Sequence, residues 1–291
     1  MRQDADIVAK HDAELAGIDQ LDVPIQVRER LGSRVWRAFW PKLTAIGLFL
    51  GAWQVVVLSG WKPPYVLPGP AAVFGELWRD LIAGEITSAA SVTLRRAIIG
   101  FALALVIGVL IGLAVSRNQV VRTAIGAAIT GLETMPSIAW FPLAILLFKI
   151  SEQAILFVIV LGAAPAIANG LIVGVDHIPR LWLRAGRSIG ARGWTMVRHV
   201  ILPASLPSFL GGLKQGWAFA WRSLLAGELL VVISASGSLG VRLDQARQLA
   251  DAKQILSTMI VIFTIGVLVD ALLFGRLERS LRRRWGLLES R

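Results

Sequence analysis

The stretch RLWLRAGRSIGARGWTMVRHVILP, residues 180–203, is strongly basic and lies between two long apolar segments of the chain. It contains five arginines, one histidine and no acidic residue. The segments on either side, at about 153–175 and 206–233, are each long enough to cross a hydrocarbon core of about 30 Å. A basic segment between two candidate membrane spans is expected to lie in water at one face of the membrane.

The rest of the chain has the composition of a membrane protein. Of its 291 residues, 55% are hydrophobic and only 17% are charged, whereas about 25% are charged in a typical soluble protein. The mean hydropathy is +0.66. The sequence therefore predicts an all-α, polytopic membrane protein with about six transmembrane helices. The predicted spans lie at about 43–60, 91–115, 121–148, 153–175, 206–233 and 255–275.

Prolines divide these spans from their surroundings. The turn-rich WKPPYVLPGP, residues 61–70, ends the first span, and a short amphipathic helix is predicted at about 71–83. Pro136 and Pro142 predict a kink or a break in the third span, and Pro165 predicts an interruption of the fourth. Pro203 and Pro207 are expected to separate the basic stretch from the fifth span. A polar loop is predicted at 234–254.

The distribution of Lys and Arg predicts the orientation of the chain. With the N-terminus in the cytoplasm, 20 of the 30 basic residues fall on the cytoplasmic side and 8 on the opposite side. We therefore expect a multi-pass protein of the cytoplasmic (inner) membrane with both termini and the basic stretch inside. The net charge of +11 then needs no nucleic-acid partner. Residues 1–42 are predicted to form a flexible cytoplasmic tail, 43–84 the first span and its connection, 85–275 the core, and 276–291 a basic tail.

Helical phasing divides the basic stretch into two short amphipathic helices. Arg180, Arg184 and Arg187 recur at i, i+4 and i+7 on one face of the first, which Gly190 is placed to end. The second is predicted at about 192–201. Two interpretations remain open at this point: an interfacial helix on anionic lipid head groups, or a helix that docks into a cytoplasmic protein.

The spacing of the stretch resembles the EAA loop of ABC importer membrane subunits, EAA-x3-G-x9-I-x-LP. The positions that correspond are Arg184, Ala185, Gly186, Gly190, Val200, Leu202 and Pro203. Arg184 replaces the family's Glu, and Gly186 replaces its second Ala. The resemblance implies that the loop, residues 178–203, contains a coupling helix that seats in the ATP-hydrolysing subunit.

Other segments resemble the nitrate, sulfonate, taurine and bicarbonate branch of this family, from about residue 65 to 285. They are LPGPAAVFGELW at 67–78, SVTLRRAIIGFALALVIGVLIGL at 91–113, MPSIAWFPLAILLFKISE at 135–152 and AGELLVVISASGSLGVRL at 226–243. The resemblance implies the type I ABC importer permease fold and a homodimer of mostly six-span chains. It also implies two ATPase subunits and a periplasmic or lipid-anchored substrate-binding protein as partners, with lipid around them.

The fifth span carries ionisable and aromatic residues where most of a span is apolar. Lys214, Trp217, Trp221 and Glu228 fall within about 60° of one another on a helix, and Arg222 lies beside them. We predict a translocation path lined by Trp217, Trp221, Arg222 and Glu228. For Met135 and Trp140 of the third span, a gate on this path and packing in the core are both open. For Lys214 an ion pair with Glu133 or Asp270 is the preferred interpretation. Gly212 and Gly216 are predicted to pack against another helix.

No motif of enzyme chemistry is visible in the sequence. There is no G-x-x-x-x-G-K-[ST] loop, no metal-ligand spacing and no cysteine, so we expect a non-catalytic subunit without cofactor or metal, whose ATP is hydrolysed by a partner. Two other classes stay open: an ion-coupled secondary transporter using Glu133, Arg222, Glu228 and Asp270, and a membrane-surface scaffold. A sulfonate or taurine is the first choice of solute; nitrate, bicarbonate, cyanate and a thiamine precursor are the alternatives.

Overall fold

The computed structural model describes residues 31–117, 119–231 and 237–284, and every regular element in these ranges is helical. The chain divides near Val55, so its first helix, α1 (Leu31–Leu58), is described by itself. Within α1, Phe39–Leu58 is long and apolar enough to cross a membrane. The helix begins earlier than the predicted span at 43–60, whereas most of the predicted tail, residues 1–30, lies outside the described part.

The helices of the second unit follow one another with short connections. They are α2 (Pro70–Ile82), α3 (Glu85–Arg117), α4 (Gln119–Thr134), a 3-10 turn (Ser137–Trp140), α5 (Phe141–Phe148), α6 (Glu152–Asp176), α7 (Arg180–Ser188), α8 (Gly193–Met196), a π-helical turn (Val197–Ile201), α9 (Leu202–Leu230), α10 (Leu239–Gln248), α11 (Ala252–Val269), a second π-helical turn (Asp270–Phe274) and α12 (Gly275–Arg284). The predicted amphipathic helix at 71–83 is confirmed as α2.

Helix α6 occupies the centre of this unit and packs against both α3 and α9. It does so through small side chains, among them the buried Ala163, Ala166 and Ala168. Gly170 of α6 faces Gly212 of α9 so closely that a Cβ added at Gly170 would lie 2.5 Å from the Gly212 Cα. The backbones of the two helices are therefore in direct contact, as small residues permit in membrane helices. The predicted packing roles of Gly212 and Gly216 are confirmed, since a Cβ at Gly216 would meet Ile167.

Length and apolarity identify four candidate membrane spans among the described residues, or five if one bent pair is counted as a single span. The predicted fifth span corresponds to α9, which has 29 residues but does not meet the same criterion of apolarity. Its sequence explains why: Lys214, Gln215 and Arg222 interrupt the apolar residues. These three side chains are exposed along one face of α9, whereas the small residues of the opposite face pack on α6.

The prolines act differently at different positions. The predicted break in the third span is confirmed, because the chain bends by 104° between the segments Arg122–Thr134 and Ser137–Phe148, next to Pro136. The predicted interruption at Pro165 is wrong, because α6 runs through it without a gap. The separation predicted at Pro203 and Pro207 is also wrong. Pro203 follows a π-helical turn in which the Leu202 N–H bonds the Val197 carbonyl, so the helical chain continues through it, and Pro207 is accommodated inside α9.

The segment 234–254 is not a continuous polar loop. It contains α10, which begins after Ser238, whose hydroxyl accepts a hydrogen bond from the Val241 N–H. Such a side-chain cap is a common start signal for a helix. The positioning of α10 matters for the site, because this helix packs against the C-terminal end of α9.

Candidate functional site

The basic stretch folds into a compact unit formed by α7, α8 and the π-helical turn, residues 180–201, which we call the basic knob. Gly190 ends α7 with φ of +85°, a left-handed conformation that costs glycine little. The Gly190 N–H donates to the Arg187 carbonyl at 3.0 Å, and the Ala191 N–H donates to the Gly186 carbonyl at 2.9 Å. These two bonds form a Schellman cap, so the predicted helix end at Gly190 is confirmed.

Gly186 holds α7 against the rest of the knob. It is the one buried residue of this helix, and a Cβ added there would lie 3.0 Å from Val200 and 3.1 Å from the Met196 sulfur. The glycine therefore allows α7 to approach the turn that leads into α9 more closely than the family's alanine would. Val200 is half-buried in this contact.

The apolar side of α7 is not buried within the chain. Leu181 and Ile189 are 72% and 85% exposed, Trp194 of α8 is 67% exposed, and Ala185 is also exposed. Beside them runs a groove of about 360 Å³, lined by Trp182, Ala185, Val200 and Pro203 among others. Leu202, at the start of α9, is 45% exposed. An exposed apolar surface that borders a groove is typical of a protein interface.

A buried set of charges lies at the other end of α9. Glu228 has no exposed surface, and its Oε1 accepts a hydrogen bond from Nη1 of Arg96 at 3.1 Å. Thr93 Oγ1 donates to the same carboxylate, and the backbone N–H of Gly240 donates to Oε2 at 3.1 Å. Glu228 therefore has a partner for each oxygen, as a buried charge requires.

The set extends through the guanidinium of Arg96, which is only 3% exposed. Its Nη2 lies 2.9 Å from Oε1 of Glu152, at the start of α6, and the exposed Arg95 contacts the same carboxylate at 3.3 Å. We call Thr93, Arg95, Arg96, Glu152 and Glu228 the ion cluster. It ties together α3, α6 and α9, and through Gly240 also α10.

A second charged group joins α10 to α2 and α3. Arg242 pairs with Asp80 of α2, and its Nη1 donates to Glu85 of α3 at 2.7 Å. Partial burial opposes the charged form of Arg242, but the Glu85 and Asp80 carboxylates outweigh burial and raise its pKa above the ordinary value. The neighbouring Asp244 accepts hydrogen bonds from Arg247 and Gln248, and mainly the Arg247 bond lowers the pKa of its carboxyl.

The residues predicted to line a path lie in three different environments. Trp217 and Trp221 are largely buried, with ring centroids 6.2 Å apart, and Trp217 packs edge-on against Phe101. Glu228 is enclosed in the ion cluster, so in this conformation it faces no accessible path. In this conformation the bond to Arg96 joins α9 to α3, and the place of Glu228 on the translocation path stays a prediction.

Arg222, Met135 and Trp140 have exposed surface. The Arg222 guanidinium lies over the Phe219 ring and donates to the Ala218 carbonyl, at the edge of a groove of about 570 Å³ between α9, α10 and α11. Met135 is exposed at the break between α4 and the 3-10 turn, and Trp140 is half-buried.

Lys214 forms an ion pair with Asp270 at 3.0 Å, which confirms the structural pairing that was preferred for it. Glu133, the other candidate partner, instead accepts a hydrogen bond from Asn169.

The ion cluster was not predicted, because its buried arginine–carboxylate pairs join residues that are 56 and 132 positions apart along the chain. One signal was available: Arg95 and Arg96 stand inside a helix of 33 mostly apolar residues, where an ionisable side chain requires a partner. Within the described ranges, no group of His, Cys, Asp and Glu residues could hold a metal ion.

Comparison with known proteins extends these observations. Residues 104–283 match the family model of the binding-protein-dependent transport system inner membrane component. The chain is 30% identical over 239 residues to a probable ABC transporter permease protein of Brucella melitensis, covering 80% of this chain and 95% of that protein. It is 26% identical over 272 residues to the taurine transport system permease protein of Escherichia coli, covering 89% and 96%.

The fold is similar to that of a solved structure. An inward-facing conformation of the MetNI methionine ABC transporter superposes with a TM-score of 0.60 at 20% identity, over 69% of this chain and 98% of that chain. The family match covers the knob, α9 and the central helix α6. The chain therefore belongs to the family of binding-protein-dependent transport system inner membrane components and is an ABC importer permease subunit.

Proposed function

We propose that ATP-hydrolysing subunits bind the basic knob and that their movement drives this permease through that contact. The observation that carries the proposal is the capped helix α7, which is held to the turn before α9 by Gly186 and leaves its apolar and basic side chains exposed. A helix built in this way offers a rigid surface to a partner, and it packs against the π-helical turn that leads directly into a 29-residue helix. Movement of the knob is then transmitted along α9 to the centre of the protein.

The solute that we propose is a small anion of the sulfonate or taurine class. Two findings support this choice: the similarity to the taurine permease of Escherichia coli over most of the chain, and the exposed guanidinium of Arg222 beside a groove. A cation near an otherwise apolar wall attracts an anionic head group and tolerates an aliphatic body. The exposed face of α9, with Gln215, Ala218 and Arg222, is the proposed path, and Met135 and Trp140 lie at its proposed gate.

The full transporter is proposed to contain two copies of this chain, two ATPase subunits and a substrate-binding protein outside the inner membrane. The exposed polar face of α9 supports a second copy, because polar side chains in the middle of a span need an aqueous cavity or a protein partner. Both termini and the knob lie in the cytoplasm in this arrangement. The excess of Lys and Arg on that side supports the orientation.

The test replaces Gly190 by valine in the full chain, co-expressed with its ATPase. A β-branched residue at φ of +85° is strained, so valine should disrupt the cap of α7. It should do so through the backbone alone, since no atom lies within 4 Å of a Cβ at this position. We expect membrane insertion to be retained and co-purification of the ATPase to be lost. In vesicles that also contain the binding protein, ATP-driven uptake of taurine should stop.

The matched control is Gly60→Val, because Gly60 also has positive φ, +69°, and open space around its Cβ position. This variant should keep the ATPase and transport taurine. Retention of the ATPase after deletion of residues 184–198 would overturn the proposed role of the knob. Uptake of nitrate but not taurine by the unaltered transporter would overturn the proposed solute alone.

A further inference from the structure

We propose that the knob binds an acidic groove on the ATPase subunit, which reverses the sign of charge that the EAA pattern places at this contact. The inference rests on the proposed function, since it names the chemistry of the partner at the same surface. Its basis is the arginine face of α7, formed by Arg180, Arg184 and Arg187, all of which are exposed.

The arginine face points away from the protein. At 100° per residue, Arg184 lies about 160° around the helix from the buried Gly186, and Arg180 and Arg187 lie within about 60° of Arg184. Because Gly186 is the contact that holds α7 to the rest of the knob, the opposite face is the first surface that an approaching partner meets. Arg184 therefore occupies the centre of the contact, at the position where the pattern has Glu.

The charge of this face is not compensated within the described part of the chain. None of the three guanidinium groups forms an ion pair with a described carboxylate, although Arg96, Arg122, Arg242, Arg247 and Arg282 all do. The sequence explains this difference, since no Asp or Glu occurs between Asp176 and Glu228. Arg180 and Arg184 are also like charges at i and i+4, a spacing that destabilises an isolated helix. Carboxylates of a partner would attract both guanidinium groups and so offset the repulsion between them.

The shape of α7 favours a protein groove over a lipid surface. Ala185 and Ile189, on the exposed apolar side, lie about 100° and 140° around the helix from Arg184. If the apolar side of α7 is buried in a flat bilayer, Arg184 points into water. A protein groove with an apolar wall and acidic residues can contact the apolar side and the arginine face at the same time. The groove beside α7, lined by Trp182, Ala185 and Pro203, can receive an apolar side chain from the same partner.

Charge reversal at this contact also determines which ATPase the permease accepts. An ATPase groove with a basic residue opposite the first position of the pattern would meet Arg184 as a like charge. Such a contact excludes the wrong partner as well as attracting the right one. We therefore expect this permease to assemble with its own ATPase and not with one whose groove is built for a glutamate.

The test uses the full chain co-expressed with its ATPase. The variants are Arg184→Glu, the charge-retaining Arg184→Lys and the neutral Arg184→Gln. We expect Arg184→Glu to lower the amount of co-purified ATPase by at least about tenfold, and Arg184→Lys to retain most of it. A photo-reactive residue at position 184 identifies the ATPase residue in contact, and its substitution by Lys should restore binding of Arg184→Glu. Salt provides a second readout: about 0.5 M NaCl should weaken the unaltered complex more than the Arg184→Gln complex.

Each outcome separates the two proposals. If the ATPase remains bound to Arg184→Glu at every salt concentration, the acidic groove is wrong while docking through the knob stands. The same conclusion holds if the cross-linked residue of the ATPase is basic. If the variants change only the binding of the chain to vesicles of anionic phospholipid, the arginine face contacts lipid instead. If the unaltered chain fails to retain the ATPase, the proposed function fails with it.

Discussion

The ion cluster and the basic knob lie at opposite ends of α9, about 40 Å apart along a helix of 29 residues. In the cluster, Glu228 and Arg96 are buried, and each has partners from other helices of the same chain. In the knob, the arginines of α7 are exposed and face no described carboxylate. The charges at one end of α9 are thus buried and paired, and the charges at the other end are exposed.

The difference indicates where the chain is complete by itself and where it is not. A buried ion pair is tolerated only when geometry and hydrogen bonds satisfy both partners, so the cluster fixes α3, α6 and α9 in one arrangement. Exposed arginines contribute little to folding and keep their capacity to bind a partner. The cluster therefore stabilises the fold, whereas the knob is the surface proposed for assembly.

The largest expected effect comes from opening the cluster with Glu228→Gln. The neutral side chain removes the carboxylate that pairs with the buried Arg96 guanidinium, and breaking a buried pair costs about 3–5 kcal/mol. The midpoint of thermal unfolding of the purified protein in detergent should fall accordingly. Arg95→Gln is the control, because Arg95 is 63% exposed and bonds the same Glu152; its cost should stay below about 1 kcal/mol. Equal losses in the two variants would contradict the distinction between the two kinds of charge.

A smaller effect is expected at the contact between α6 and α9, which lies between the ion cluster and the knob. In Gly212→Ala, the new Cβ would lie 2.6 Å from the Gly170 Cα, and since backbone cannot move aside as a side chain can, α6 and α9 must separate. We expect a loss of about 1–3 kcal/mol in the free energy of unfolding.

The adjacent Gly211→Ala provides the control for this variant. No atom lies within 4 Å of a Cβ at Gly211, so alanine should be neutral or stabilise the helix by up to about 1 kcal/mol. If Gly212→Ala proved as stable as Gly211→Ala, the direct contact of the two backbones would be wrong.

The smallest effect concerns Asp244 of α10, the helix whose Gly240 bonds to Glu228 of the ion cluster. The Arg247 hydrogen bond lowers the pKa of the folded carboxyl, so its contribution to stability is present above the unfolded pKa of about 3.9 and disappears as the pH falls through the folded value. The difference in unfolding midpoint between the unaltered protein and Asp244→Asn should be constant above about pH 5 and shrink below about pH 4. A difference that grows on acidification would reverse this assignment.

Much of the fold could be predicted from local sequence. The cap at Gly190 and the break beside Pro136 each depend on a few neighbouring residues, and both are confirmed. Spans were found because long apolar runs are a strong signal. The fifth span was also predicted as a long apolar segment, and α9 has the expected length without the expected apolarity.

Other features depend on contacts between distant parts of the chain. Pro165 and Pro207 were expected to interrupt helices, but helices packed by neighbours accommodate proline. The phasing of α7 predicted its apolar side without indicating that this side stays exposed and that Gly186 is buried instead. The pairing of Glu228 with Arg96, across 132 residues, is likewise invisible to periodicity.

The close approach of Gly170 and Gly212 has a mechanical consequence. Side chains between two helices act as a compressible layer, because they can change rotamer when one helix is pushed. Where two backbones touch, that layer is missing, so α6 and α9 should move together as one rigid unit. We expect a displacement of a few ångströms applied at Leu202 to reach Leu230 with little attenuation. The glycine pair would thereby determine how much of the work done at one membrane face arrives at the other.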